Sequence, residues 1–230
     1  MESLDEMREN YYNHIEQKRK GYEATAEMIG YIIKKMQDAG IISGEIIISG
    51  RIKSFKSVCE NIGKKAVDDY FGIRIIGNKK DLEQIEKRIS KILVVDFVKD
   101  HRKRKDTKYN GIHEMAHMDR KYAESNGIDP KLFPEVEIQY WDEETKEKCL
   151  CGELSYANYK KKDLLEILDR LNQNPAKTLE DLPMCYEIEG NNIHLLSPEE
   201  TLYRLYPEIK QIEEQSSVVL VKDTDDGIDK

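Results

Sequence analysis

Residues 70–77 read YFGIRIIG. Phe71, Ile73, Ile75 and Ile76 are apolar and mostly β-branched, which predicts a buried strand. Arg74 lies inside it, and arginine is seldom buried unless it is paired or stacked. Upstream, EIIISGRIKS (45–54) predicts a short buried strand over Glu45–Ser49, and FKSVCENIGKKA (55–66) a helix. Downstream, KDLEQIEKRISK (80–91) is an amphipathic helix with Leu82, Ile85 and Ile89 on one side. ILVVDFV (92–98) is a third strand, followed by a charged loop from Lys99 to Lys108. A fourth strand is expected at 112–119 and a fifth at 134–141, PEVEIQYW.

Alternating helices and strands imply a mixed α/β sheet. The last three strands have no helices between them, so part of this five-stranded sheet is expected to be antiparallel. Ahead of it, Leu4, Met7, Tyr11, Ile15, Tyr22, Ile29, Ile32 and Met36 recur at helical steps and predict one long helix over 4–38. Gly21 and Gly30 weaken that pattern locally, and Gly40 is a plausible stop. Residues 143–173 read as helical, with a break at Asn174-Pro175. A hairpin is expected over 183–196, and a final helix over 198–214 opened by Ser197-Pro198. The division that follows is an N-terminal helix (1–40), a core (41–162), a helical and hairpin extension (163–215) and an acidic tail (216–230).

The chain has 230 residues, 39% hydrophobic and 36% charged, with 13 Tyr and 4 Phe, which is enough apolar material for a core. Its 45 acidic and 37 basic side chains give a net charge of −8, which argues against coating DNA in bulk. No apolar run approaches the length of a membrane helix, and no secretory signal is visible at the start. Four cysteines do not make a disulfide framework, so the expected setting is cytoplasmic with reduced thiols.

Three segments carry candidate chemistry. Arg51 and Lys53 share one side of an extended chain, and Ser54 or Ser57 can cap the helix that follows. Two cations and two hydroxyls at a strand-to-helix junction suit a polyphosphate, although a solvated basic turn has the same composition. In Asp69-Tyr70-Phe71-Gly72-Ile73-Arg74, a carboxylate opens the strand that holds the arginine; an Asp–Arg structural pair is the plainer reading. In 135–139, Glu135, Glu137 and Gln139 share one face, with Val136, Ile138 and Tyr140 on the other. Together these supply two carboxylates, Asp69 and Glu137, able to hold Mg²⁺, and cations to neutralise substrate phosphates. Trp141, by contrast, is expected to pack helices under the sheet rather than bind a base.

RIKSFKSVCENIGKK, then DDYFGIRII, KYNG and EVEIQY, in this order and spacing, resemble the synthetase domain of the RelA/SpoT alarmone synthetases over roughly residues 45–160. The resemblance implies a nucleotidyltransferase-like sheet and transfer of the β,γ-diphosphate of ATP to the 3′-hydroxyl of GDP or GTP, giving (p)ppGpp and AMP. It further implies that Arg51 and Arg74 sandwich the adenine, that Lys53 and Ser57 (with Ser54 in the same motif) contact ATP phosphates, and that Asp69 and Glu137 hold Mg²⁺. Glu137 would also accept the hydroxyl's proton, and Gln139 would help place the acceptor. Residues 99–108 hold six cations and two acids, and Lys99 and Lys108 fall where the family has phosphate-binding lysines.

The pattern departs after Asn110-Gly111. Ile112 stands at the position of a tyrosine that stacks on guanine, and Ala116 at that of a histidine. His113 and His117 adjoin these positions and are the candidate substitutes. An isoleucine offers no π face, so the acceptor's identity stays open between GDP or GTP and an adenosine nucleotide or the 3′ end of tRNA. Either of the last two acceptors would make this a toxic relative and would bring a neutralising antitoxin partner. A non-catalytic nucleotide-binding module is the remaining alternative. The family's hydrolase histidine–aspartate motif is missing, which resembles a stand-alone synthetase; its relatives include homo-oligomers.

Overall fold

The computed structural model describes residues 3–60, 70–101, 111–125, 127, 129–150 and 161–216. Helix α1 spans Leu4–Asp38 and matches its expected bounds. Ser3 caps it, accepting from the Glu6 backbone N–H at 3.2 Å while its own N–H donates to the Glu6 carboxylate at 2.7 Å. Its buried stripe runs through Tyr11, Ile15, Tyr22, Ala26, Ile29, Ile33 and Met36. Gly21 and Gly30 lie on that stripe as points of contact. A Cβ on Gly21 would fall 2.1 Å from the Leu132 carbonyl oxygen, and one on Gly30 would fall 1.9 Å from that of Gly190. The two glycines that dilute helix propensity are therefore what lets α1 approach backbone closely.

Among the described residues, seven strands form one sheet: β1 (Ile47–Ile52), β2 (Phe71–Ile76), β3 (Leu93–Asp100), β4 (Ile112–Met118), β5 (Val136–Trp141), β6 (Met184–Glu189) and β7 (Asn192–Leu195). Their order is β3-β4-β5-β2-β1-β6-β7. Only β2 and β5 run parallel; the other neighbours are antiparallel. The expected five strands become seven because the hairpin β6–β7 docks on β1, on the side away from β2. A hairpin's existence is a local property, whereas the edge it joins depends on contacts far away in sequence.

Strand β1 also runs past its expected end at Ser49. Gly50, Arg51 and Ile52 are laddered on both sides, to β2 and to β6. Arg51 thus belongs to the strand rather than to the junction after it. Helix α2 (Phe55–Cys59) follows, with Ser54 as its N-cap; residues 61–69 lie outside the described region. Helix α3 is Lys79–Ile89, and α4, which periodicity did not reveal, is Arg120–Ser125.

Beyond β5 lie α5 (Glu143–Leu150), α6 (Lys161–Gln173), α7 (Pro175–Glu180), α8 (Pro198–Leu205) and α9 (Pro207–Ser216). Asn174 does more than break the chain: its side chain caps α7 by accepting from the Lys177 N–H. The expected final helix is two helices. Pro207 has no N–H and excludes helical geometry from the residue before it, and Tyr206 accordingly sits at φ −134°, ψ 70°. Ile167, Leu171, Leu202, Tyr206 and Ile209 bury one another in a small core of their own. No helix among the described residues is long and apolar enough to cross a membrane.

The sheet face toward α1 and α3 carries the main core, including Ile48, Ile52, Phe71, Ile73, Ile75, Val136 and Ile138. One acid intrudes there. Glu114 on β4 is 4% exposed and accepts a hydrogen bond from the Tyr140 hydroxyl at 3.2 Å. Burial first, and then the like charge of Glu86, push its carboxyl from 4.5 up to about 7. A raised folded-state value means stability is complete below the unfolded value and is lost as pH rises through about 7. Thermal melts from about pH 5 to about pH 8 should therefore fall in the wild type and fall less in Glu114→Gln. Parallel profiles would contradict this.

Candidate active site

The opposite face is polar, and strand pairing stacks its side chains in two adjacent rows. One row crosses the sheet through Cys185, Arg51, Gly72, Glu137 and Met115, and the next through Glu187, Ser49, Arg74, Gln139, His113 and Lys99. Directly opposed residues share a face, so Arg51, Arg74, Glu137, Gln139 and His113 converge from four strands. Period-two alternation along β5 sends Glu137 and Gln139 to this face while Val136 and Ile138 enter the core. Glu135 precedes the strand and is exposed.

Glu137 is the hub, its side chain 12% exposed. Its Oε1 lies 2.8 Å from His113 Nδ1, and its Oε2 accepts from Gln139 Nε2 at 2.7 Å. Arg51 Nη2 approaches Oε2 to 3.9 Å. Gly72 lies between them in the row, and a Cβ there would meet Arg51 Cγ and Nε at 3.5 Å, an ordinary packing distance. Burial opposes the charged carboxylate. The His113 hydrogen bond and charge, then Arg51 and Gln139, outweigh it and hold the group at about 2. Glu137 is thus an anion at neutral pH and can only accept, so His113 Nδ1 carries the shared proton.

Arg74 donates to Gln139 Oε1 from Nε at 3.0 Å and from Nη2 at 2.8 Å. Its guanidinium lies 3.6 Å from the centroid of the Trp141 ring. Trp141 packs on Ile76 and Cys149, as a buried aromatic should, but one ring face belongs to the site. The reading of 137 and 139 as one face already implied this, since 141 is the next residue with the same parity. His101, whose ring lies 5.1 Å from that of His113, is a second residue the sequence did not single out.

The other expected residues lie around this group. The Lys53 N–H extends the β1–β2 ladder to the Tyr70 carbonyl at 2.9 Å, and the Lys53 carbonyl accepts from the Tyr11 hydroxyl. Ser54 Oγ accepts from the Ser57 N–H at 3.3 Å. Lys99 is exposed beside His113. His117 is four residues along β4 from His113, about 13 Å in an extended chain, and its Nδ1 lies 2.6 Å from Asp96 Oδ2. Asp69, Lys108 and Asn110 lie outside the described residues.

Mg²⁺ takes hard oxygen ligands and is commonly held by one or two carboxylates plus substrate phosphates. Glu137 fits that chemistry: it is ionised, and each of its oxygens has a lone pair beyond the single hydrogen bond described for it. Among the described residues, no group of three or more His, Cys, Asp or Glu is arranged to hold a metal.

The fold and this face define a mixed α/β domain with arginines and the ionised carboxylate of Glu137 gathered on the polar side of its sheet. No family model matches the chain, and no curated protein matches it in sequence. Solved structures do resemble it. Small alarmone synthetase 2 from Bacillus subtilis is 17% identical, over 91% of this chain and 100% of that one, at a TM-score of 0.49. Small alarmone synthetase 1 from the same organism, bound to its product pppGpp, is 16% identical over 72% and 98%, at 0.46. A GTP pyrophosphokinase family protein from Streptococcus pneumoniae is 12% identical over 90% and 94%, at 0.47.

Proposed function

We propose that this protein is a Mg²⁺-dependent diphosphotransferase that moves the β,γ-diphosphate of ATP to the 3′-hydroxyl of GDP or GTP, making (p)ppGpp and AMP. The supporting observation is the convergence of Arg51, Arg74 and Glu137, from three strands, on one polar sheet face. Arg51 and Arg74 are diagonal neighbours across β1 and β2, about 7 Å apart by strand geometry. That spacing accepts one planar base between two guanidinium planes. Lys53 and Ser57, at the end of β1 and the start of α2, are the proposed phosphate contacts.

In the step itself, the acceptor hydroxyl oxygen bonds to the β-phosphorus. The bond from that phosphorus to the oxygen bridging to the α-phosphate breaks, and AMP leaves with that oxygen. The hydroxyl proton goes to Glu137. A carboxylate held at about 2 is a weak base, but phosphoryl transfer depends mainly on positioning and charge stabilisation. Asp69 and Glu137 are the proposed Mg²⁺ ligands, and the ion when bound would neutralise charge on the phosphates.

One observation favours a different acceptor. Ile112 is buried on the core face of β4, and its neighbour His113 faces the site. The acceptor side is therefore built from His113, His101 and Lys99. Purified protein, Mg²⁺ and ATP labelled on the γ-phosphate, offered GDP, GTP, ADP and tRNA in turn, should release AMP and label one acceptor. No AMP with any of them would leave only a binding module.

A further inference from the structure

Gln139 is 7% exposed and lies between the two charged groups of the site. Its Oε1 accepts both Arg74 bonds, at 3.0 and 2.8 Å, and its Nε2 donates to Glu137 at 2.7 Å. The amide's orientation is dictated by chemistry: a guanidinium only donates and an ionised carboxylate only accepts. Both lone pairs of Oε1 are filled by Arg74. Three of the amide's four hydrogen-bonding positions are therefore spent on its two charged neighbours.

We propose that Gln139 is a positioning residue that holds Arg74 and Glu137 apart, so that Arg74 stays over the Trp141 ring instead of pairing with the carboxylate. Arg74 and Glu137 occupy adjacent rows on one face, within reach of a direct two-pronged ion pair, the geometry that arginine and carboxylate favour. Such a pair would neutralise both groups. The cation would be turned from the phosphates or base, and the anion from the hydroxyl. A neutral amide binds each without cancelling either charge. An acidic side chain of the same length would not do this, because it would pair with Arg74 and repel Glu137. This inference rests on the reading of Arg74 and Glu137 as parts of one transfer site.

Trp141 is the chain's one tryptophan, so its emission reports whether Arg74 covers it, independently of catalysis. In Gln139→Met, emission should shift to longer wavelength and coincide with that of an Arg74→Leu control. Its kcat for AMP release should drop about 100-fold, the scale of an ångström-level misplacement, with KM for the acceptor within about 3-fold. Gln139→Glu keeps Arg74 on Trp141, so it should keep wild-type emission yet lose kcat; it also serves if Gln139→Met does not fold. Wild-type emission from folded Gln139→Met overturns the proposal. So does a raised acceptor KM with kcat retained, which would mean direct contact with substrate. A wild type inactive with every acceptor, together with the emission shift, sinks the assigned reaction and leaves the spacing role standing.

Discussion

Glu137→Gln should abolish AMP release, by about 10³-fold or more, in a protein that still folds. The change keeps the size of the side chain and removes its charge. The lost anion faces Arg51 at 3.9 Å and His113 at 2.8 Å. Without it, nothing among the described residues replaces the acceptor of the hydroxyl's proton or its hydrogen bond, and losses of this kind range from about 10² to 10⁴. The effect on folding is smaller. A carboxylate held at about 2 instead of 4.5 favours the folded state by on the order of 2 kcal/mol after solvent screening. For a chain of this size that lowers Tm by about 4–8 °C. Because the folded value is depressed, the contribution is present above 4.5 and fades as pH falls through about 2. The melting temperatures of wild type and variant should therefore approach each other in acid. Full activity in Glu137→Gln would remove the site from consideration.

Gly30→Ala is the second test, and here helix propensity and packing predict opposite signs. In an exposed helix interior the change would stabilise by about 1 kcal/mol. In α1 the new Cβ would lie 1.9 Å from the Gly190 carbonyl oxygen and 2.8 Å from Ile188 Cγ2. The first is backbone in a hairpin turn, at a residue whose φ of +58° suits glycine. It cannot yield without shifting β6 and β7 away from α1. A net loss of about 2–4 kcal/mol is expected, at the upper end for an overpacked core, read as a lower urea midpoint. An unchanged or higher midpoint would show that the hairpin does not dock on α1 in solution.

Much of the architecture was legible one segment at a time. The bounds of α1 follow from apolar periodicity and from Gly40, whose φ of +65° ends the helix. Five strands, the hairpin and most helices were placed within a few residues, because side-chain alternation and turn chemistry are local. Pairing was not legible in the same way. β1 ran three residues past its expected end, where Gly50, Arg51 and Ile52 pair with β2 on one side and with β6, more than 130 residues later, on the other. The same applies within the site. Arg74 announced itself as an arginine in an apolar strand, but its partners Gln139 and Trp141 lie on β5, and only the parallel β2–β5 register brings them alongside.

The order of residues settled which side chains face the core and which face outward, since alternation along a strand is set by the backbone's own geometry. It did not settle which outward-facing groups meet. That depends on strand order and register, which are long-range choices made by burying the opposite face on α1 and α3. Glu137 could be picked out as an acid on a half-polar strand, but its low pKa comes from His113 on β4 and Arg51 on β1. Those charges surround it only once four strands are aligned.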